Sequence, residues 1–340
     1  MRQFIEGLPK AELHIHIEGT LEPEHCLELA NRNGIALQHN TPEAIVRSYD
    51  FNDLPSFLSA YYSGMQVLLT EQDFYDLTCR YFQKAASEGV VYAEVFFDPQ
   101  AHTSRGVDFE TVISGIHRAQ KDARQELGIE SGLIMCFLRD MSAESAMEHL
   151  HMSLPYKHWI IGVGLDSDER DNPPSKFAEV FIEARKHGFR LTMHCDVNQQ
   201  DSLLHIRECL DQIGVDRIDH GVNVLEDEEL CLDLVHRGIG LTVCPVSNHY
   251  VVQSFTSDEI RSLISKGVKV TVNSDDPAYF RAYINENFQV LAEEGDFSQQ
   301  EIVQLTKNAF DIAWLSDDVK AVYLKKLENY VASFSSSVVI

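Results

Sequence analysis

The chain has 340 residues, 44% of them hydrophobic, and its formal net charge of −25 disfavours a nucleic-acid backbone or an anionic membrane as partner, because both would be repelled. No segment resembles a signal peptide or approaches the roughly 20 apolar residues of a membrane span. The seven cysteines are scattered and never form a C-x-x-C pair, which argues against a disulfide framework and a thiolate zinc site. These properties predict a cytoplasmic protein with a small-molecule partner, and they leave homo-oligomerisation open.

Short apolar runs alternate with amphipathic segments along the chain. The runs are AELHIHI, VVYAEVFFDP, GLIMCFLRD, IIGVGLDS, FRLTMHCDV, RIDHGV, GIGLTVCPVSN and GVKVTVNSDDP. The amphipathic segments with helical spacing include residues 109–127, 175–187, 202–213, 227–237 and 257–266. Eight strand–helix units without a glycine-rich phosphate turn predict one α/β domain over residues 1–340, a (β/α)8 TIM barrel rather than an open doubly wound sheet.

The segment from Leu21 to Gly89 is too long for a single crossover helix. We expect it to form a helical excursion after the first strand, over the barrel mouth, where it could act as a lid. Its apolar and aromatic side chains are candidates for a wall around a ligand, although core packing is the commoner role of such residues. They are Phe51, Leu54, Phe57, Tyr61 and Tyr62.

Polar residues fall at the carboxyl ends of the predicted strands, which meet at one mouth of a barrel, where active sites lie. His14 and His16 end the first run, His194 ends the fifth, and Asp275 follows the eighth. Side chains two apart on a strand share a face, so both histidines of the first run can point inwards. Three imidazoles and a carboxylate suit Zn²⁺, and we interpret them as a catalytic metal site rather than as separately packed polar residues.

Two further polar residues lie at the same mouth. His220, on the strand after His194, is a candidate base or electrostatic partner for an activated water, and the alternative is a core histidine. Asp276, beside the expected ligand Asp275, is a candidate for contact with substrate or with groups around the metal, and the alternative is an Asx turn before Pro277.

The chain resembles the adenosine and adenine deaminase family of the amidohydrolase superfamily over nearly its full length. The stretches that carry the resemblance are LPKAELHIHIEGTLEPE, GVGLDSDERDNPPSKF, RIDHGV, LTVCPVSN and VTVNSDDPAYF. The resemblance implies hydrolytic loss of the amine at C6 of a purine, at one zinc ion per chain. The implied metal ligands are His14, His16, His194 and Asp275.

The same resemblance implies roles for the residues around the metal. His220 would position and deprotonate the water, Asp276 would bond purine N7, and the backbone around Ser167 would meet N3. Glu18 refines the substrate, because the matching position is Asp in the adenosine branch, where it contacts the ribose. Glu followed by GTLEPE resembles the adenine branch, and the longer acid would occupy the space that a ribose needs. A free purine base is therefore favoured over a nucleoside.

Two positions depart from the family pattern. After the third metal histidine the family reads H-A-G-E, and that glutamate protonates purine N1, whereas this chain reads HCDV with Val197 at the position. Valine cannot donate a proton, while strand parity turns Asp196 inwards, so Asp196 is either the acid or a strand-capping residue. Arg281 and Ala282 also replace small residues typical of the adenine branch near the mouth.

We therefore expect a zinc-dependent deaminase of adenine or an N6-substituted adenine, giving hypoxanthine and ammonia or an amine. The alternatives are an adenosine deaminase, a catalytically silent purine-binding protein on the same fold, and an amidohydrolase that cleaves an ester, amide or phosphate. The combined H-x-E and P-C-x-x-C signature of base-flipping zinc deaminases is not met, because the sequence has no P-C-x-x-C, which again argues against a nucleic-acid substrate.

Overall fold

Eight parallel strands stand side by side in chain order and form a barrel. The computed structural model describes residues 1–49, 51, 54–197 and 199–337. The strands are β1 (Lys10–His16), β2 (Val90–Phe97), β3 (Glu130–Leu138), β4 (Ile160–Asp166), β5 (Arg190–Cys195), β6 (Arg217–His220), β7 (Leu241–Val243) and β8 (Val270–Val272). Each strand coincides with one of the eight apolar runs, although β1 and β3 begin one and two residues before theirs, so the prediction of a (β/α)8 barrel is confirmed.

Backbone hydrogen bonds just beyond β8 join the last strand to the first. Asp275 N donates to His14 O and His16 N donates to Asp275 O, both at 3.1 Å, and Ile15 pairs with Asp275 in a parallel bridge. Below them, Leu13 N donates to the side-chain oxygen of Asn273 at 2.8 Å. The barrel therefore closes through the same residues that bring the first and last polar side chains of the mouth together.

Helices follow the strands and cover the outside of the barrel. Those of the described residues are α1 (Arg2–Gly7), α2 (Pro23–Asn33), α3 (Pro42–Arg47), α4 (Leu54–Gly64), α5 (Glu71–Ser87), α6 (Pro99–Thr103), α7 (Phe109–Glu126), α8 (Ala143–Ser153), α9 (Ala178–Lys186), α10 (Ser202–Glu208), α11 (Glu228–Arg237), α12 (Pro245–Val252), α13 (Ser257–Ser265), α14 (Pro277–Phe280), α15 (Ile284–Glu293), α16 (Gln299–Ile312) and α17 (Asp317–Ser337). None of these described helices is both long enough and apolar enough to cross a membrane.

The segment between β1 and β2 forms α2 to α5, as the expected helical excursion. Its helix α4 packs through aromatic side chains on residues that follow β8. The ring of Phe57 stacks on that of Phe280 with centroids 5.0 Å apart, and the Tyr61 ring lies 5.6 Å from that of Tyr279. This second hydrophobic cluster, separate from the main core, places α4 over the carboxyl ends of the strands.

The opposite end of the barrel interior holds a buried ion pair. Arg217, the first residue of β6, donates to the carboxylate of Glu94 on β2, and both side chains are fully buried. The guanidinium also lies 4.4 Å from the ring centroid of Trp314, whose backbone N–H donates to Glu94 at 2.6 Å. Polar groups thus close the floor of the barrel, whereas the metal-ligand candidates lie at its mouth.

Candidate active site

The four predicted metal ligands converge on one point. Donor atoms of His14, His16, His194 and Asp275 all lie within 4.8 Å of one another, and all four side chains are buried. His14 Nε2 is 3.1 Å from Asp275 Oδ1, and His16 Nε2 is 3.1 Å from His194 Nε2. The structure thus brings together the three imidazoles and the carboxylate that the strand ends predicted.

Hydrogen bonds behind His14 fix which of its nitrogens is free. Thr242 Oγ1 donates its only proton to Asp219 Oδ1 at 2.9 Å, and it lies 2.9 Å from His14 Nδ1. Thr242 must therefore accept from His14 Nδ1–H, which leaves a lone pair on Nε2 aimed at the Asp275 carboxylate. Two lone-pair-bearing atoms 3.1 Å apart fit a cation held between them.

The other two imidazoles show the same pattern. His16 Nδ1 lies 3.5 Å from Asp166 Oδ2 and His194 Nδ1 lies 3.4 Å from Asp219 Oδ2. Protons placed on these Nδ1 atoms leave the two Nε2 lone pairs facing each other. The residues present therefore fit a Zn²⁺ ion that three histidines and one carboxylate would hold, with Thr242 bonded to His14 and a buried carboxylate facing Nδ1 of each of the other two histidines.

The electrostatics of the cluster favour the ligating forms of most of its members. Burial lowers the pKa of His14 to about 4 and that of His16 well below its usual value, so both are neutral at pH 7. Burial would raise the pKa of Asp275, but the adjacent His14 and His220 hold it well below the usual range. Burial also opposes charge on His194, yet Asp219 and Asp166 raise its pKa to about 9, so a metal would compete with a proton there.

His220, Ser167 and Asp275 share an unusual backbone conformation. Their φ angles are 58°, 72° and 64°, in the left-handed region that non-glycine residues rarely adopt. Such conformations cost roughly 1–3 kcal/mol each and cluster at functional sites. His220 Nε2 lies 3.9 Å from Asp275 Oδ2, and the Ser167 hydroxyl lies 2.8 Å from that of Tyr62 on α4. Three of the eight described non-glycine residues with positive φ thus surround one cavity.

Asp276 lies beside Asp275 with its carboxyl buried and its Oδ1 without a hydrogen-bond partner. Burial and the charge of Asp275 raise the pKa of Asp276 well above its usual value. Gly19 makes room for it, because a Cβ at that position would lie 2.0 Å from Asp276 Oδ1. Residue 19 must therefore be glycine for Asp276 to occupy this place.

Asp196 and Val197 occupy different environments. Asp196 lines the cavity and is 8% exposed, and burial raises the pKa of its carboxyl. Its backbone N–H donates to Glu169 Oε1 at 2.7 Å, which fixes the position of the chain there. Val197 packs against the hydrophobic core and is not among the described residues that line the cavity. Strand parity therefore predicted correctly which of the two side chains faces inwards.

Glu18 lies behind the cavity wall. β1 ends at His16, and the chain then forms a 3-10 helix that begins at Glu18. The alternation of side chains along a strand, which would place Glu18 on the same face as His14 and His16, therefore does not extend to Glu18. Glu18 Oε1 accepts from the backbone N–H of Asp98 at 3.1 Å and lies 2.9 Å from His102 Nε2. Its contact with a substrate stays a prediction.

Three buried acids of the cavity wall were missed from the sequence. Asp98 directly follows β2, Asp166 ends β4, and Glu169 lies in the loop after it. The rule that found the histidines, polar residues at the carboxyl ends of strands, applies equally to Asp98 and Asp166. Glu169 carries no such signal, because its importance comes from the tertiary bond to Asp196.

The cavity at the barrel mouth contains about 710 Å³ of space, including the part that is open to solvent. Polar residues from the strand ends line one side of it, and apolar residues of α4, α12 and α14 line the other. Its described lining residues are His16, Phe51, Leu54, Phe57, Leu58, Tyr61, Tyr62, Asp98, Asp166, Ser167, Glu169, His194, Asp196, His220, Ser247, Tyr250, Val251, Asp275, Asp276 and Phe280. All five aromatic and apolar residues proposed for the wall are among them.

Comparison with known proteins agrees with this site. Residues 9–330 match the family model described as adenosine deaminase. An uncharacterized deaminase of Schizosaccharomyces pombe is 52% identical over 335 residues, which cover 98% of this chain and 99% of that protein.

Two solved structures share the fold. The crystal structure of an adenine deaminase from Arthrobacter aurescens is 43% identical, with a TM-score of 0.92 over 96% of this chain and 100% of that chain. An amidohydrolase from Burkholderia ambifaria with bound zinc is 26% identical, with a TM-score of 0.90 over 98% of this chain and 94% of that chain. The chain therefore belongs to the adenosine deaminase family, as the resemblance implied, and is a purine deaminase by class.

Proposed function

We propose that this protein is a zinc-dependent deaminase of adenine-type free bases, which converts adenine or an N6-substituted adenine to hypoxanthine and ammonia or an amine. The observation that carries the proposal is the cavity that joins the His14, His16, His194 and Asp275 cluster to a wall of buried acids. Similarity to an adenine deaminase at 43% identity supports the choice of an adenine-type substrate.

Zinc is the metal that we propose for the cluster, one ion per chain. The three histidines with free Nε2 lone pairs and the ionised Asp275 provide its usual ligands. A relative with bound zinc at 26% identity supports this choice. When bound, Zn²⁺ supplies Lewis-acid activation of water at neutral pH. The remaining steps are assigned to side chains of this chain.

His220 and Asp196 move the protons in the proposed mechanism. His220, 3.9 Å from Asp275, is placed to take a proton from the attacking water and to deliver it to the leaving N6. Asp196 retains its proton more readily than an exposed aspartate because it is buried, so it can donate to purine N1 as the water oxygen adds to C6. This role would replace the glutamate that is absent at Val197.

Asp276 and Ser167 orient the base. A protonated Asp276 can donate to purine N7, and burial beside Asp275 favours this protonated form. The backbone at Ser167, held in its left-handed conformation, would meet N3. These contacts place C6 towards the metal cluster and explain why the strained backbone lies here.

The apolar side of the cavity favours a substituent on N6. Phe51, Leu54 and Phe57 come from the segment over the mouth, and Val251 and Phe280 complete the same side. An alkyl chain on N6 that lies against these residues would bury its apolar surface there. We therefore propose that N6-substituted adenines are preferred over adenine.

A purine panel tests this function. Adenine, adenosine, N6-methyladenine and N6-isopentenyladenine are incubated with zinc-loaded protein, turnover is followed by ultraviolet absorbance, and the products are identified. We expect hypoxanthine from the free bases, with a higher kcat/KM for the substituted bases than for adenine. Faster turnover of adenosine would contradict the free-base assignment. No turnover of any compound at full zinc loading would instead support a purine-binding protein.

The metal assignment is tested by removing ligands. We expect His14→Ala and Asp275→Ala each to lose bound zinc and activity together, because each removes one of the four side chains that would hold the ion. Zinc is measured by mass spectrometry after dialysis. Cys195→Ala is the control, because Cys195 follows His194 in the chain but packs against Cys209, with the two sulfurs 3.7 Å apart. Stoichiometric zinc in both ligand variants would overturn the assignment.

A further inference from the structure

We infer that Asp98 is a specificity-determining residue that accepts a hydrogen bond from N9–H of a free purine base and so selects bases over nucleosides. The inference rests on the proposed function and names a contact on the side of the base away from the metal. Three structural observations support it. Asp98 has a buried carboxyl oxygen without a hydrogen-bond partner, few hydrogen-bond donors surround it, and it lies next to the loop expected at purine N3.

The side chain of Asp98 does not cap the helix that it precedes. Asp98 is the N-cap residue of α6, where an aspartate normally accepts from the first backbone N–H groups, yet its side chain makes no such bond. It is 1% exposed, lines the cavity, and its Oδ1 has no hydrogen-bond partner. An acceptor buried in this way costs roughly 1–3 kcal/mol unless a ligand satisfies it.

The surroundings of Asp98 offer acceptors rather than donors. Asp166 adds a second buried carboxyl group, whose Oδ2 lies 3.5 Å from His16 Nδ1. Among the described residues that line the cavity, none is Lys or Arg. This end of the cavity therefore fits a ligand that brings an N–H donor, and it repels an anionic group such as a phosphate.

The position of Asp98 matches N9 of a base oriented as proposed. A carboxyl oxygen of Asp98 lies within 4.8 Å of a carboxyl oxygen of Asp166 and of a ring nitrogen of His16. Asp166 directly precedes Ser167, whose backbone is expected at purine N3. N9 adjoins N3 across C4 in the purine ring. In a free base N9 carries a proton, whereas in a nucleoside it carries the sugar carbon and has no donor.

Glu18 holds Asp98 in this place from behind. The backbone N–H of Asp98 donates to Glu18 Oε1 at 3.1 Å, and the same oxygen lies 2.9 Å from His102 Nε2. The long acid at position 18 thus acts on the substrate through Asp98. This arrangement provides a structural reason why glutamate at this position accompanies a preference for free bases.

Binding of hypoxanthine and 9-methylhypoxanthine to zinc-loaded protein tests the inference without requiring turnover. We expect calorimetry to show that wild type binds hypoxanthine about 10- to 100-fold more tightly, because 9-methylhypoxanthine would leave the buried Asp98 acceptor without a donor. Asp98→Leu, which has no acceptor, should reduce the ratio to within a few-fold. Asp98→Asn, a milder change if the leucine variant does not fold, should give an intermediate ratio.

Asp140→Asn is the matched control, because Asp140 is an exposed acid outside the cavity lining and the variant should keep the wild-type ratio. A ratio that is unchanged in both Asp98 variants overturns the inference and leaves the proposed function standing. Failure of wild-type protein to bind hypoxanthine overturns the proposed function and the inference together.

Discussion

Asp196 and Val197 illustrate how a shift of one position moves an acid between the cavity and the core. Asp196 faces the cavity and Val197 packs against the core, so the inward-facing acid lies one residue earlier than the family pattern places it. The bond from Asp196 N to Glu169 holds the backbone that makes this possible. The loss of the family glutamate therefore need not remove an acid from the site.

We expect Asp196→Asn to reduce kcat by about 10²- to 10⁴-fold, the usual contribution of a general acid, with KM changed little. An amide keeps the shape of the side chain and cannot give up a proton to N1. Steady-state kinetics on the best substrate of the panel measure the effect. Val197→Ala is the control and should keep kcat near wild type, because Val197 lies outside the cavity lining. An unchanged kcat in Asp196→Asn would assign the acid elsewhere.

Single residues of the site were predictable from the sequence where they follow a strand. His14, His16, His194 and Asp275 all lie at strand ends, and the barrel brings such ends together whatever the intervening sequence. The tautomers of the histidines were not predictable, because they depend on contacts with Thr242 and Asp219. Nothing in the sequence of the strands that carry these two residues indicates that they contact the histidines.

Helix α4 is the element whose position the sequence located only roughly. The apolar runs of the strands have a clear period and turn signals around them, so all eight were found. The excursion after β1 was recognised by its length. Its packing over the mouth depends on contacts with residues after β8, such as the contact between Phe57 and Phe280. These residues lie more than two hundred positions apart in the chain. Contacts at this separation leave no local pattern.

Tyr62 provides the polar link between α4 and the strand ends, through its hydroxyl 2.8 Å from that of Ser167. We expect Tyr62→Phe to raise KM several-fold with a smaller effect on kcat, because a neutral hydrogen bond contributes about 0.5–1.5 kcal/mol and this one holds the wall rather than the reacting atoms. Steady-state kinetics measure the change. Tyr75→Phe, which removes a hydroxyl bonded to Asp122 on the outside of the barrel, is the control. Equal KM values for both variants would contradict the link.

The barrel as a whole separates stability from function along its axis. The Glu94 and Arg217 pair fills the floor, and Glu94 also accepts from Tyr92 OH at 3.0 Å, whereas the cavity at the mouth contains the unpaired acids. Paired charges at the floor satisfy one another without a ligand. The unpaired acids at the mouth leave acceptors available to a ligand.

We expect Glu94→Gln to lower the free energy of unfolding by about 3–5 kcal/mol, because it leaves the buried Arg217 charge without its main partner. Chemical denaturation of zinc-loaded protein measures the loss. Glu130→Gln is the control, since it removes the partner of Arg124 in an exposed ion pair and should cost less than about 1 kcal/mol. Similar losses for the two variants would show that the floor pair does not stabilise the barrel.

The closure of the barrel through Ile15 and Asp275 sets when the site can form during synthesis. His14 and Asp275 are separated by 261 positions in the chain, so a ribosome must add nearly the whole barrel after the first ligand before the last one emerges. At about 5–20 residues per second this interval is roughly 13–52 s. Throughout it, the HIH stretch lacks the closing bridge to Asp275 and its full ligand set, and zinc can be bound tightly only at the end.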